Sequence, residues 1–454
     1  MERERLGSRL GFILLSAGCA IGVGNVWRFP YVVGQSGGGA FLPLYLFFLI
    51  IVGLPIMVME FSVGRASRKS IACIYDELAP EGTRRGWRIH SYAALMGNCI
   101  LMMFYTTVSG WMLHYFLSTV MGRFVGMDTE AVAASFSALC DDPVTLTVYM
   151  AITVITGFFI CSIGLQGGVE RISKFMMLAL LGIMMVLAIH GFTQRGAAAG
   201  LTFYLKPKLS EIDLGVVVDA MNQAFFTLSL GIGSMAIFGS YIGKDRALLG
   251  ESVNVILLDT FVAFVSGLII FPACFTYGVE PDAGPGLIFV ALPNIFNSMT
   301  GGRVWGGLFF LFMTFAAFTT VLAVFENIIA CLRDMLGWGR RRACLFSCIA
   351  ILILSMPCVL GFNLLSSFQP FGEGTGIMDL EDFIVSSCLL PLGSLTILLF
   401  CTWRRGGWGW DRFVAEANTG KGLKMKTWMR GYVTYILPLI IVSLFVIGIV
   451  GKFV

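Results

Sequence analysis

The polar residues that this sequence can put to chemical use lie inside its most apolar stretches. Gly22-Val23-Gly24-Asn25 falls within the first such stretch, and Phe226-Thr227-Leu228-Ser229-Leu230-Gly231-Ile232-Gly233 within the sixth. Asn25, Gln223, Thr227 and Ser229 at hydrocarbon depth require partners. A helix unwound at paired glycines supplies them, because it frees carbonyls for a cation and amides for a carboxylate. Glycines that only let helices pack closely are the plainer reading of either pair alone. Two Gly-x-Gly breaks at matching points of two halves point further, to an inverted-repeat transporter with its binding site at the midplane. Asp259 adds a carboxylate in the seventh stretch. Such a charge is answered by a cation or a proton, or else the group sits protonated and donates a hydrogen bond. Thr319 and Thr320 in the eighth stretch, taken alone, read as hydroxyls back-bonded to their own helix. The chemistry expected is binding rather than bond making. No nucleophile, base and orienting group share a motif, and neither Gly-x-Gly follows a strand as a dinucleotide site requires. His90, His114 and His190 lie apart near span ends, which speaks against a metal centre.

Composition fixes the elements that must hold these groups. Of 454 residues, 57% are hydrophobic and 13% charged, about half the charge of a soluble domain, so a soluble enzyme is excluded. A net charge of +4, scattered without aromatic interleaving, excludes a nucleic-acid partner. The 12 cysteines sit in apolar runs without paired spacing and read as small hydrophobes. Apolar stretches long enough to cross a bilayer lie near 10–33, 41–63, 90–121, 143–162, 172–192, 214–240, 253–277, 303–332, 343–361, 381–402 and 431–451. The expectation is an all-α integral membrane protein of eleven transmembrane helices, the first and sixth interrupted. The N-terminus resembles a signal peptide, but Glu2 and Glu4 interrupt its basic end and the apolar run continues to Phe29, so the first helix is read as uncleaved. Of the 31 Lys and Arg, all but Arg28, Arg123, Arg195, Lys206, Lys208, Arg303 and Lys452 fall on one side. Positive charge stays cytoplasmic, which sets the N-terminus inside and the C-terminus outside. The loop 404–430 is polar and cytoplasmic, and 279–302 is an outer loop, neither long enough for a second domain. A single transmembrane domain follows, with repeat one about 10–192, repeat two about 214–402 and an extra helix about 431–451.

The segments AGCAIGVGNVWRFPYVVGQSGGGAF, PIMVMEFSVGR and FFTLSLGIGSM closely resemble the neurotransmitter:sodium symporter family, and the likeness runs from the first residues through the tenth helix. The resemblance implies a five-plus-five inverted repeat, two sodium ions and no organic cofactor. It implies sodium-driven uptake of an amino acid by alternating access across a bacterial inner membrane, with lipid and a small-molecule amino acid as partners and the oligomeric state left open. Ending after eleven spans is similar to many bacterial members. Carried across by position, sodium one would sit among Ala20, Asn25, Thr227 and Asp259, and sodium two among Gly18, Ile21, Ala316, Thr319 and Thr320. Asp259 departs from the family's commoner Asn. Chloride-dependent relatives supply that negative charge with a bound anion, and the leucine transporter with a Glu at the position of Ala263. Asp259 is therefore expected to make transport chloride-independent, with a proton returning on the empty carrier as a further role.

The resemblance also assigns the substrate site. Monoamine carriers have Asp where this chain has Gly22, so the substrate here is expected to bring its own carboxylate, held by backbone amides of the first break and the Tyr105 hydroxyl. Its ammonium would meet carbonyls of Ala20, Phe226 and Thr227. Cys19, Ala20, Val23, Gly24, Leu101, Tyr105, Phe226, Thr227, Ser229, Ile232, Thr320 and Val324 are the expected substrate contacts. Val23, Ile232 and Val324 are each smaller than the leucine transporter's residues, which makes room for a large aliphatic or aromatic side chain. A methylene more or less changes binding by only about 1–3 kcal/mol, so strict selectivity is not expected. Arg28 and Asp382 correspond to the family's outer gate, and Arg3 and Asp334 to its inner one. Leu6 replaces the family's Trp, and Glu4 and Arg5 offer alternative inner pairings. Leu178 stands where relatives often have a proline in the fifth helix, so release of the inner sodium must proceed without it. Glu60 and Glu326 are further intramembrane acids, and Tyr45 and Gln223 lie near the expected anion region. The alternatives are a proton-coupled transporter of the same fold working through Asp259, and a sensor or channel that binds amino acid without accumulating it.

Overall fold

A computed structural model describes residues 4–208, 210, 212–279 and 286–453. Among these the chain is helical, and one isolated bridge, Arg246 to Lys421, is the only strand-like pairing. The helices that bear on the site are α1 (Arg9–Ala20), α2 (Gly24–Gln35), α3 (Phe41–Ser67), α4 (Arg84–Val120), α5 (Pro143–Ile163) and α6 (Leu165–Phe192). In the second half they are α7 (Leu214–Thr227), α8 (Ser234–Tyr241), α9 (Leu248–Tyr277), α10 (Gly302–Leu336), α11 (Arg340–Gly361), α12 (Ile377–Thr402) and α13 (Met429–Gly451). Nine are single helices long and apolar enough to cross a membrane, and α1 with α2 makes a tenth span bent by 58°. Helices α7 and α8 are shorter and are separated by residues 228–233.

Local sequence explains where the helices bend. Ser8 caps α1, its hydroxyl accepting from the Gly11 amide at 3.0 Å, and Asp213 caps α7 by accepting from the Val216 amide at 2.8 Å. Widened π-helical turns at Gly24–Arg28, Leu49–Gly53, Leu287–Ala291, Phe383–Leu389 and Tyr432–Ile436 are each followed closely by a proline: Pro30, Pro55, Pro293, Pro391 and Pro438. A proline has no N–H to give to the preceding turn, and its ring crowds the carbonyl behind it, so the turn widens. The break between α7 and α8 is sharper. Ser229, Gly231 and Gly233 all have positive φ, at 49°, 99° and 74°, and that conformation is open to glycine without steric cost. Helices α1, α4, α9 and α10 pack around the breaks, with α4 running along α10. Leu178 lies in the continuous helix Arg171–Phe192 with its side chain half exposed on the outer surface.

Candidate functional site

The first break presents its backbone to four other helices. The Gly22 amide donates to the Asn25 carboxamide oxygen at 3.2 Å, and the Val23 amide donates to the Tyr105 hydroxyl of α4 at 3.0 Å. A side chain at position 22 would collide with the Tyr105 hydroxyl and with Thr320 Oγ1 of α10, so glycine is what lets these two hydroxyls close on the unwound backbone. Gln223 of α7 donates to the Gly24 carbonyl at 3.2 Å, and Ser266 of α9 donates to the Asn25 carbonyl at 2.8 Å.

Two oxygen clusters flank this backbone. In one, the Asn25 amide nitrogen lies 2.8 Å from Asp259 Oδ1, and the Thr227 hydroxyl lies 3.3 and 3.2 Å from the two Asp259 oxygens. All three side chains are buried, and Ala20, the last residue of α1, lines the same small cavity as Thr227. In the other, Thr320 Oγ1 lies 3.2 Å from each of the Gly18 and Ile21 carbonyls and 3.5 Å from that of Ala316. Thr319 instead donates to the Phe315 and Ala316 carbonyls of its own helix at 3.0 Å, while its Cβ borders Gly18. Of the two threonines, one bridges helices and one back-bonds. Such hard oxygens suit an alkali cation.

Between the clusters is a cavity of about 30 Å3. Its walls are the unwound backbone of both halves, at Ala20, Gly22, Gly24, Thr227 and Ser229, together with Cys19, Leu101, Tyr105, Phe226 and Thr320. Val385 and Leu390 of α12 complete it, and the sequence offered no local signal for either. Val23, Ile232 and Val324, expected as substrate contacts, are buried but are not among the lining residues. Ile232 is drawn away: its carbonyl accepts from Asn98 of α4 at 2.8 Å and its side chain abuts Gly97. Val23 is tied through its amide to Tyr105, and Val324 sits one turn along α10 from Thr320.

The outer gate differs from expectation. The Arg28 guanidinium carbon stands 4.2 Å from the centre of the Phe226 ring, a cation–π contact, and Asp382 accepts from the Ser386 hydroxyl at 2.7 Å. These two charges therefore do not meet as an ion pair. A second cavity of about 70 Å3 lies on the far side of Phe226, walled by Arg28, Asn222, Ser386 and Pro391 and by Leu444 and Gly448 of α13.

At the opposite end Arg3 lies outside the described residues, and Asp334 accepts from the Ser70 amide at 2.7 Å. Glu4 pairs with Arg333 at 2.7 Å and with Arg340 at 3.4 Å. Arg340 also pairs with Glu326, which accepts from the Tyr241 hydroxyl of α8 at 2.7 Å. Glu326 thus belongs to this arginine-rich end. Burial alone would raise the Glu4 carboxyl, but its hydrogen bond to Arg333 and the charges of Arg340 and Arg333 outweigh that and hold it below the usual carboxylate range. The second break has its own support. Glu60 of α3 accepts from the Gly231 amide at 2.5 Å and the Met235 amide at 3.1 Å. His90 sits 2.9 Å from the Gly231 carbonyl and 2.6 Å from the Tyr75 hydroxyl. These partners come from spans remote in sequence, so spacing could not reveal them.

The sequence profile of the Sodium:neurotransmitter symporter family matches residues 3–127 and 132–453. An uncharacterized sodium-dependent transporter, YhdH, of Bacillus subtilis (strain 168) is 33% identical over 98% of this chain and 98% of its own. The sodium-dependent serotonin transporter of Drosophila melanogaster is 25% identical over 99% of this chain and 77% of its own. The solved structure of MhsT in complex with L-phenylalanine superposes with a TM-score of 0.87 at 35% identity, covering 98% of this chain and all of that one. With its broken helices, buried oxygen clusters and apolar spans, the chain belongs to the sodium:neurotransmitter symporter family, whose members are sodium-coupled membrane transporters and not enzymes.

Proposed function

We propose that this protein couples two sodium ions to the uptake of a hydrophobic L-amino acid, aromatic or large aliphatic, by alternating access through eleven spans in two inverted repeats. The N-terminus and the arginine-rich loops face the cytoplasm, the C-terminus the outside. The observation that carries the reading is the convergence of Thr320 on the Gly18 and Ile21 carbonyls beside the Asn25–Asp259–Thr227 cluster, with a small apolar-walled cavity between them. Gly22 leaves the Val23 amide and Tyr105 hydroxyl to receive a substrate carboxylate. L-Phenylalanine in the MhsT structure supports an aromatic side chain. At about 30 Å3 the cavity has room for about one water-sized probe, so Phe226, Tyr105 or the α12 wall must move to admit an amino acid. Each sodium entering down about 100 mV and a tenfold gradient supplies roughly 2.3 plus 1.4 kcal/mol, enough for two ions to concentrate a zwitterion strongly.

Asp259 meets neutral donors at 2.8 and 3.2 Å, so its charge is available to sodium one and no chloride is required. A proton carried by Asp259 on the empty carrier is the second reading, favoured by the same buried carboxylate. In vesicles loaded with choline, labelled phenylalanine, tryptophan and leucine should accumulate under an inward sodium gradient and continue to do so when gluconate replaces chloride. Accumulation driven equally by a pH gradient in choline would overturn sodium coupling in favour of protons, and binding without accumulation would make the protein a sensor.

A further inference from the structure

A cavity of about 890 Å3 lies outside the small one between the two breaks and reaches the unwound segment only at Gly231. It is a groove between the first turns of α4 and the second half of α12, walled by Ile89, Ala93, Leu392 and Thr396, with His90 and Gly231 as its floor. The helix surfaces beside it face outward and are apolar: Ile89, Tyr92 and Met96 are well exposed, as are Leu392 and Trp403. From Leu389 to Thr402 the groove follows about 20 Å of helix, a little more than the roughly 15 Å of hydrocarbon in one leaflet. Its mouth is fixed where Trp87 donates to the Gly406 carbonyl at 2.7 Å, with Trp403 edge-on to Trp87 at 6.4 Å. Paired indoles at such a level mark a membrane–water boundary. Arg405 lines the mouth, and Arg85 and Arg404 are exposed around it.

We propose that this groove seats one acyl chain of an anionic glycerophospholipid, with the headgroup phosphate held by Arg85, Arg404 and Arg405. The apolar walls account for the chain and the basic mouth for the headgroup, since cations at the boundary favour anionic lipid over zwitterionic lipid. The end of the seated chain rests on Gly231 and Leu389, the near neighbours of Ser229 and Leu390, which line the small cavity. His90 ties that floor to Tyr75. A lipid in the groove therefore touches the unwound segment from outside while a substrate touches it from within.

The test is photolabelling of the full chain in phosphatidylcholine nanodiscs doped with phosphatidylglycerol bearing a diazirine near the acyl terminus, followed by peptide mapping. Labelling within residues 89–96 and 389–396 should exceed that from an equally doped diazirine phosphatidylcholine at least threefold. Arg404→Gln with Arg405→Gln, both at the exposed mouth, should lower it at least threefold. Ala93→Phe, which fills the groove from its wall, should abolish it while the thermal midpoint stays within a few degrees. Equal labelling by the two lipids, or labelling indifferent to the paired arginine change, would overturn the assignment. Stronger labelling by free diazirine-oleate than by phosphatidylglycerol would overturn it in favour of a free anionic amphiphile.

Discussion

Asp259 Oδ1 lies 2.8 Å from the Asn25 carboxamide, and both carboxylate oxygens lie within 3.3 Å of the Thr227 hydroxyl, an arrangement that concentrates one negative charge where a cation would complete it. Asp259→Asn keeps the shape and removes the charge. It should raise the sodium concentration for half-maximal uptake at least tenfold, about 1.4 kcal/mol, and should make uptake respond to chloride, in contrast to the chloride-independent uptake proposed for wild type. A sodium titration of uptake in chloride and in gluconate checks this; an unchanged titration in both would show that the charge is not a sodium ligand. The two threonines make a second contrast. Thr320 donates across to α1 carbonyls, whereas Thr319 bonds within α10. Thr320→Val leaves the Gly18 and Ile21 carbonyls short of a donor and should cost about 1–3 kcal/mol even without sodium. Thr319→Val should leave sodium-free stability within about 0.5 kcal/mol and weaken only the sodium response. Thermal unfolding with and without sodium separates the two, and equal sodium-free losses would contradict the geometry.

The element that decides the site is the unwound stretch 228–233, and its glycines are under different demands from those in the helices. Gly231 has φ of 99°, and a methyl there would strike the Leu390 carbonyl oxygen and crowd the Ser394 amide. Gly231→Ala should therefore cost about 1–3 kcal/mol from backbone strain before any clash and abolish uptake. Gly182→Ala in α6, where a methyl meets nothing within 4 Å, should gain up to about 1 kcal/mol from helix propensity. Thermal midpoints of the two variants provide the comparison, and a neutral Gly231→Ala would mean that the break can rebuild. Both breaks were legible in the sequence because paired glycines beside polar side chains are a local signal. The supports of the second break were not: Glu60, Asn98 and His90 sit on α3 and α4 and reach it only through the packing of spans. The same reason hid Val385 and Leu390 from the cavity wall. It also misplaced Ile232, whose backbone follows Asn98. The Arg28–Asp382 gate pair was expected from the family resemblance, and here the aromatic face of Phe226 competes for the guanidinium. Widened turns were implicit in their prolines, but a proline alone does not say whether a helix kinks, widens or ends.

Across the whole molecule, the arginine-rich end is held shut by the N-terminal segment. Glu4 joins Arg333 of α10 and Arg340 of α11, and it accepts from the Leu165 amide at the head of α6 at 3.3 Å. Gly7 and Ser8 both donate to Glu170 of α6, at 2.8 and 3.1 Å. In the proposed alternating-access cycle, opening this face parts the N-terminal segment and α1 from α6, α10 and α11, so these contacts set how often it opens. The sign of the pH dependence follows from Glu4. Its carboxyl is held below the usual range by the two arginines, so the clamp is fully present above the ordinary carboxylate value near about 4.3 and is lost as pH falls through the lower folded value. A pair of this exposure contributes at most about 1 kcal/mol, a fivefold change in opening. Glu4→Gln should raise hydrogen exchange of residues 5–12 about two- to fivefold at pH 7, leave exchange in α4 unchanged, and remove the further rise that wild type shows below about pH 4 once intrinsic rates are corrected. Because the clamp opposes opening toward this face, the same variant should speed efflux of preloaded substrate more than uptake. Slower exchange in the variant, or a wild-type segment that loosens as pH rises instead of falls, would assign the closure to Glu170 and Glu326 rather than to Glu4.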